Sequence, residues 1–546
     1  MNVARGGAST ALGLLVAFGC GGSDASPPNQ GGGGTVVVDL PDGGTAEVPA
    51  PPKSPDVGGE PPDGIYVSNT RGVPGNDGAK TRPVRTIAEG IALGKEKRLP
   101  VNVCAEEYAE AVKLVDGVTL FGYFDCTHLE KWVRGTTHAK IISPTSPAVL
   151  GENLVLPANF EGFDVEAPSI DGISATGPAA SSYGMILRSS QNLTLAELTI
   201  RAGKGQDGVD AVEPDPNVEL SNNADGKPSS GPIQQLCSGA ICNFVAAQGV
   251  NAVPGSEFGT SQCKMAPSGG PGGKGGSGCI SDGGLLRNCT VGEANGQGGG
   301  ASTAQGGSAT DVVGAGPGAN GTPGIDGTTG THGTWSFSAT GFVPGDGIAG
   351  SNGAAGKGGG GGAGSMNYGK GQLINGATII YNAPENGIWR SATGGGGGAG
   401  GCGGVAGAAG KGGGASIGLF VVGSDKISIM NSRLEGKKGG RAGKGATGTA
   451  GLAGHLGGTV GPKTTPPNSN GTAGAAGGKG GDGGHAGLSG HGSVGPSIAL
   501  VFTGARPFTK DVTFIAGEPG DGHPQVGLGS QTLPAAVGEA KAEHSF

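Results

Sequence analysis

Apolar residues in this chain fall in short runs, bounded by glycine and polar turns. Ile65 to Val67 reads as a strand and Gly72 to Gly78 as a loop. Thr86 then opens a helix with apolar positions at Ile87, Ile91 and Leu93. Short strands are predicted at Val101–Val103, Val112–Leu114 and Val118–Phe121, where apolar residues sit between turn residues. Further on, three segments align with one another: Ser182–Gly205, Ser416–Gly439 and Ser497–Gly520, the last needing a one-residue deletion near Asp511. Each has a small first residue, an apolar strand, a tight turn, an alternating strand and a glycine-rich exit. Leu193, Leu195, Leu198 and Ile200 form the inward-facing set of the first copy, with Ile427, Ile429 and Leu434 in the second. Leu285–Val291 and Gln372–Ile380 look like fragments of further copies. Strands this short cannot bury a face alone, so they must stack, and stacking gives a solenoid. The predicted class is all-β. A β-sandwich is the alternative, and the missing hairpin signals between adjacent strands argue against it.

Glycine tracts with a threefold rhythm separate these segments. Gly318, Gly321, Gly324, Gly327, Gly330 and Gly333 recur at every third residue, as do Gly401 to Gly413, Gly445 to Gly457 and Gly478 to Gly490. Period three is the repeat of an extended left-handed helix, and glycine along one edge lets neighbouring chains approach closely. Three conformations fit this rhythm: polyglycine-II-like arms packed on one another, disordered loops, or a collagen triple helix. Collagen calls for more proline than the single Pro323 between Gly318 and Gly333. Glycine supplies 123 of 546 residues and aromatics only 4%, which argues against a conventional enzyme core throughout. The net charge of −8 is mild and no basic patch stands out, so nucleic acid is not an expected partner. No run of ~18 apolar residues occurs, so no transmembrane helix is expected.

The first twenty residues read as an address. Arg5 precedes a short apolar stretch, Ala8 to Gly19, too brief to span a bilayer. Val16-Ala17-Phe18-Gly19-Cys20, followed by Gly21-Gly22-Ser23-Asp24, resembles a bacterial lipoprotein signal peptide, with Ala17 and Phe18 where Leu and a small residue are commoner. That resemblance implies cleavage before Cys20, lipidation of its thiol and amine, and a membrane partner reached through the lipid. The expected location is the bacterial cell envelope, as an outer-membrane lipoprotein facing periplasm or cell surface. Ordinary signal peptidase cleavage is the other reading. Residues 21–62 are rich in Gly, Pro, Ser and Asp and read as a disordered tether. Removing Cys20 leaves eight cysteines, an even number consistent with disulfides in an oxidising compartment. Cys104 and Cys126 are a plausible pair; Cys237, Cys242, Cys263, Cys279 and Cys289 cluster, and Cys402 is to be matched among them. Free buried thiols remain an alternative. Zinc is disfavoured because no CxxC occurs.

From Asp63 the texture changes. Tyr66–Ser68, the turn Gly75-Asn76-Asp77-Gly78, Arg82–Ile91 (RPVRTIAEGI), Tyr108–Glu110 and Gly117–Tyr123 (GVTLFGY) resemble the N-terminal module of right-handed parallel β-helix proteins, specifically the bacterial family of unknown function called DUF1565. Val84 stands where that family commonly has an aromatic residue. The resemblance covers about sixty residues and implies a pectin-lyase-like right-handed parallel β-helix with an N-terminal capping helix. Residues 63–135 are then the opening module and cap. Residues 136–530 are coils with Gly-rich insertions, polyglycine-II-like or disordered, and 531–546 a C-terminal tail.

Candidate chemistry is sparse, and no catalytic residue is assigned. Ser489-Gly490-His491-Gly492-Ser493-Val494-Gly495 resembles the Gly-His-Gly element of polygalacturonases. Those enzymes need several acids around the scissile bond, and the chain has no Asp-Asp pair. Gly477–Asp482 and Gly203–Asp210 resemble single calcium-binding nonapeptides, of which isolated copies make half-sites. Asp207, Asp210, Glu213 and Asp215 concentrate carboxylates in one loop, where calcium is the one cofactor considered and a solvated turn the plainer reading. No other cofactor or metal is expected. Trp132, Trp335, Trp389, Tyr368 and Tyr381 would stack on sugars if several shared one face, and otherwise cap the solenoid. The function expected is a non-enzymatic structural or adhesive one at the envelope, with polysaccharide or other envelope components as partners. The alternative is a carbohydrate-active or sugar-binding β-helix.

Overall fold

The computed structural model describes residues 34–39, 44–173, 177–215, 225–228, 316–364, 393–460 and 474–546, with short strand pieces between 281 and 381. Cys20, Cys237, Cys242, Cys263, Cys279, Cys289, Tyr368 and Trp389 lie outside the described residues. Three parallel sheets run along the molecule. The first stacks Val112–Lys113, Val149–Glu152, Ser182–Arg188, Ser416–Val422, Ser497–Phe502 and Ala540–Ser545. The second stacks Ile65–Val67, Val101–Cys104, Leu120–Asp125, Ala158–Glu161, Gln191–Ala196, Asp425–Met430 and Phe508–Lys510. The third stacks Glu107–Tyr108, Ala139–Ile142, Phe163–Glu166, Thr199–Arg201, Arg433–Glu435 and Thr513–Ile515. The chain visits the sheets in rotation, coil after coil, in an all-β solenoid of the right-handed β-helix type.

The core is the inward row of each strand. Leu193, Leu195, Leu198, Ile200, Ile427, Ile429 and Leu434 are all buried in one apolar cluster, with Val165, Met185, Leu187, Leu419 and Val421. Phe160 and Phe163 stack within it, their centroids 4.5 Å apart. The expected register holds: Ser182 pairs with Ser416, and Ser416 with Ser497. These small first residues have a reason. Ser182 Oγ donates to Pro168 O and accepts from Gly203 N; Ser416 Oγ donates to Gly203 O and accepts from Lys437 N. Each serine thus ties the start of a coil to its glycine exit. The one-residue deletion lies not near Asp511 but in the preceding turn. Val421 pairs with Phe502 while Ser428 already pairs with Phe508. A turn absorbs a missing residue, whereas a strand that lost one would turn its inward row outward.

The helix spans Ile87–Lys97 behind a Thr86 cap whose side chain accepts from Glu89 N, while the Glu89 carboxylate accepts from Thr86 N. It lies against Ile65–Val67 and Val101–Cys104, burying Ile87 and Ile91. Gly90 permits this approach, since a Cβ there would stand 2.4 Å from Val67. No helix among the described residues is long and apolar enough to cross a membrane.

Two expectations differ from the structure. The described parts of the fragments at Leu285–Val291 and Gln372–Ile380 do not pair as coils: Leu285–Leu286 pairs antiparallel with Ser281–Asp282, and Gly371–Ile374 with Thr378–Tyr381. Each strand pair runs antiparallel rather than in the parallel register of the coils. The described part of the 21–62 stretch also departs from a free tether. Thr35–Asp39 and Thr45–Pro49 form a hairpin, and the chain after it docks on the second sheet. Ser54 Oγ lies 2.6 Å from the Tyr123 hydroxyl; Asn159 donates to Pro52 O, Asn102 to Pro62 O, and Arg134 to Ser54 Oγ. Proline-rich chain loses little entropy on ordering, and here Ser54 meets Tyr123 of the aromatic cluster formed with Tyr66, Phe121, Phe124 and Trp132.

Candidate functional site: a glycine lattice beside the solenoid

Five glycine tracts, 316–333, 345–363, 393–414, 440–458 and 474–495, lie side by side. Backbone hydrogen bonds join them at every third residue. Gly318, Gly321, Gly324, Gly327, Gly330 and Gly333 donate to the fifth tract, at Ala476, Lys479, Asp482, His485, Leu488 and His491, over 2.7–3.0 Å. The constant offset makes that pair parallel. Gly398, Gly401 and Gly404 in the third tract donate to Gly478, Gly481 and Gly484, again in parallel. The second tract runs antiparallel to the first, with Ile348, Ser351 and Ala354 donating to Thr331, Thr328 and Ile325. The fourth runs antiparallel to the third, with Leu452 donating to Cys402 and His455 to Ala399.

The fifth tract is the innermost. Gly477, Gly480 and Gly483 donate to the fourth tract, whereas Gly478, Gly481 and Gly484 donate to the second. In the third register, side chains of the first tract accept: Asn320 from Lys479 N, Asp326 from His485 N, and His332 Nδ1 from His491 N. Glycine is required here by proximity. A Cβ on Gly484 would stand 2.2 Å from the carbonyl oxygen of Ile325, and one on Gly483 1.9 Å from that of Cys402.

The lattice grows out of the coils in register with them. Gly205, Gly208 and Ala211 donate to Lys438, Arg441 and Lys444, and Gly439 and Ala442 donate to Glu518 and Asp521. The acidic loop sits on this seam. Asp207 accepts from Arg441 N and Lys204 Nζ; Asp210 accepts from Lys444 N and the Arg441 guanidinium. Glu213 accepts from Thr447 N and Lys444 Nζ. Their spacing of three places each carboxylate opposite successive amides of the neighbouring tract, so they point at cations and N–H groups. Asp215 is exposed at the end of the row. Burial would raise the Asp210 carboxyl, but Arg441 and the Lys444 amide hold it below its ordinary value. The one described cluster with metal-ligand geometry is Cys104, Glu106 and Cys126, and its two cysteines form a disulfide. Cys402 is disulfide-bonded as well.

Sequence reasoning named His491 only within a Gly-His-Gly element and missed its partners His332 and His523. His332, His491 and His523 form a stack with centroids 5.1 and 4.7 Å apart. His491 is 1% exposed, its Nδ1 accepts from Gly445 N at 2.9 Å, and its Nε2 is buried with no partner. Burial, then the neighbouring His523 and His332, push the His491 pKa down to about 4. The signal was present in the threefold rhythm, because Asn320, Asp326 and His332 share one register of the first tract.

Of the sugar-stacking candidates, Trp132 and Trp335 have described side chains, and they do not share a free face. Trp132 is fully buried. Trp335 belongs to a hairpin, Ser336–Ser338 with Gly341–Val343, which folds Phe337 and Phe342 onto Phe420 and Tyr183 outside the first sheet. Phe342 N donates to the Tyr183 hydroxyl and so fastens the first two tracts to the solenoid. A pair of carboxylates does meet elsewhere. Glu161 is buried beside Tyr123, and Glu197 receives both its oxygens' bonds from Arg134 at 2.6 Å. Burial raises the Glu161 carboxyl and Arg134 opposes this, with Ser54 closing over the group. No family model, curated protein or solved structure matches this chain.

Proposed function

We propose that this is a non-enzymatic, envelope-anchored surface protein with a structural or adhesive role, the solenoid serving as a mount and the tracts as a polyglycine-II-like slab. The single observation behind this reading is the hydrogen-bonded lattice around residues 474–495. It commits most backbone N–H groups of the fifth tract to rigidity rather than to a cleft. An 18-residue tract in this conformation extends roughly 55 Å at ~3.1 Å per residue, which suits display away from the mount. The helix at Ile87–Lys97 suits an N-terminal cap, protecting one end of the stacked strands. A pectin-lyase-like, right-handed coil with a DUF1565-like opening accounts for the Tyr66–Ser68 and Gly117–Tyr123 motifs. An outer-membrane lipoprotein anchored at Cys20 accounts for the Arg5–Cys20 pattern, several acyl chains holding far better than one.

Metabolic labelling with a fatty acid, comparing wild type with Cys20→Ala, tests the anchor: label is expected only in wild type, and equal labelling rejects it. Attachment of cells bearing the intact protein, compared with cells bearing a variant lacking residues 316–495, tests the display role. Undiminished attachment argues against it. The carbohydrate-active alternative draws on the Glu161–Glu197 pair. Release of sugar product from polyanionic or neutral polysaccharides, abolished by Glu161→Gln, would favour that alternative.

A further inference from the structure

We propose that the glycine lattice is acid-sensitive, with imidazole lone pairs as its switch. Three histidines use Nδ1 as an acceptor for a backbone N–H of an adjacent tract. His332 accepts from His491 N at 3.3 Å, His485 from Gly451 N at 3.3 Å, and His491 from Gly445 N at 2.9 Å. An imidazole that accepts at Nδ1 carries its proton on Nε2. His332 is set this way, since its Nε2 faces the Pro534 carbonyl at 2.8 Å. A second proton can enter only at Nδ1. There it turns the acceptor into a donor aimed at another donor, and the bond between tracts is lost. All three bonds hold the fifth tract, two to the fourth and one to the first.

The surroundings sharpen the effect. His491 lies between His332 on the first tract and His523 on the segment following the third repeated coil. Lys444 on the fourth tract disfavours its positive form, whereas Asp210 on the acidic loop favours it. Arg441 lies 3.4 Å from His523 Nε2, and that imidazole nitrogen also faces the Ala442 carbonyl at 2.9 Å. For His485, Asp326 on the first tract accepts its backbone N–H. His455 is wired differently, its Nδ1 facing the Asp225 carboxylate at 3.1 Å rather than a backbone N–H. The backbone bonds at stake are those accepted by His332, His485 and His491. As pH falls through the histidine range, lattice closure weakens while the apolar solenoid core, which holds no histidine, stays intact.

The chain supplies its own control. Asn320 occupies the same register as His332 and accepts from Lys479 N at 2.9 Å without titrating. His→Asn at 332, 485 and 491 should keep the acceptors and remove the proton site. The experiment is amide hydrogen exchange of the full chain at pH 7.5 and pH 5.0, corrected for the intrinsic exchange rate at each pH. In wild type, peptides covering 443–458 and 477–492 are expected to lose at least ~10-fold in protection at the lower pH, corresponding to ~1.4 kcal/mol. Peptides covering 182–201 should not change. The triple asparagine variant should keep pH 7.5 protection at both values. Equal acid loss in wild type and the variant overturns the proposal, as does an unchanged wild type. Should the triple variant fail to fold, His332→Asn alone is read at the His491 amide, where its loss of acid sensitivity is required. This inference rests on lattice geometry and stands whether or not the surface role does.

Discussion

Gly484→Ala probes the lattice at its centre. A Cβ there would lie 2.2 Å from Ile325 O, 2.4 Å from its carbonyl carbon and 2.8 Å from Asp326 N. All three are backbone atoms, so no side chain can swing aside. Restoring contact to ~3.5 Å needs the first and fifth tracts to part by roughly 1 Å. Three bonds stand in the way: Ala354 N to Ile325 O, Gly324 N to Asp482 O, and Gly327 N to His485 O. At ~1 kcal/mol net for each, with ~1–3 kcal/mol for overpacking, the loss is about 3–5 kcal/mol. Gly177→Ala is the comparison, because nothing stands within 4 Å of its Cβ and its φ is not positive. Denaturant unfolding and limited proteolysis of the tracts read the outcome. Gly484→Ala should melt earlier and be cut within 316–495, while Gly177→Ala should stay within ~0.5 kcal/mol of wild type. Equal stability of the two variants would refute the close-packing argument.

Other expectations follow from the same geometry. Because His491 is held near pKa 4 when folded against 6.5 when free, the unfolded chain binds more protons between those values. Its stabilising contribution is therefore complete above about pH 6.5 and falls away toward pH 4, by up to ~3 kcal/mol, checked by unfolding midpoints against pH and expected to flatten in His491→Asn. Replacing Cys104 and Cys126 by Ala removes a crosslink across 22 residues and should lower stability by about 3 kcal/mol in denaturant titration. Phe160→Ala removes a fully buried ring stacked on Phe163 and should destabilise the solenoid by about 3–5 kcal/mol, read the same way. Arg134→Ala leaves Glu197 and the 52–59 chain without their shared donor, and should expose that stretch to protease first.

The solenoid was legible because its signal is local and repeated. The alternating Leu193-Leu195 and Ile427-Ile429 pairs specify an inward face, and the aligned serines mark where each coil begins. Thr86 and Glu89 likewise announce the helix start within four residues. The lattice was legible in its period but not in its pairing. Identical Gly-x-x-Gly runs carry no label saying that tract 474–495 lies inside and 316–333 at its side. The offset of 234 residues between stacked coils, seen in Ser182 with Ser416, carries over to Asp207 with Arg441, so the coils set the register where the fourth tract begins. The hairpin at Gly371–Tyr381 was misread because short apolar runs, Leu373-Ile374 and Ile379-Ile380, satisfy a coil and a hairpin equally. The acidic loop was found, yet its role was hidden, since the amides that engage Asp207, Asp210 and Glu213 lie more than two hundred residues away.

Residue-resolved exchange of glycine amides in the full chain tests the central claim most directly. The account requires slow exchange with period three along 318–333, at Gly318, Gly321, Gly324, Gly327, Gly330 and Gly333, and protection in all three registers of the fifth tract, as at Gly477, Gly478 and Lys479. Uniformly fast exchange through these tracts would contradict it.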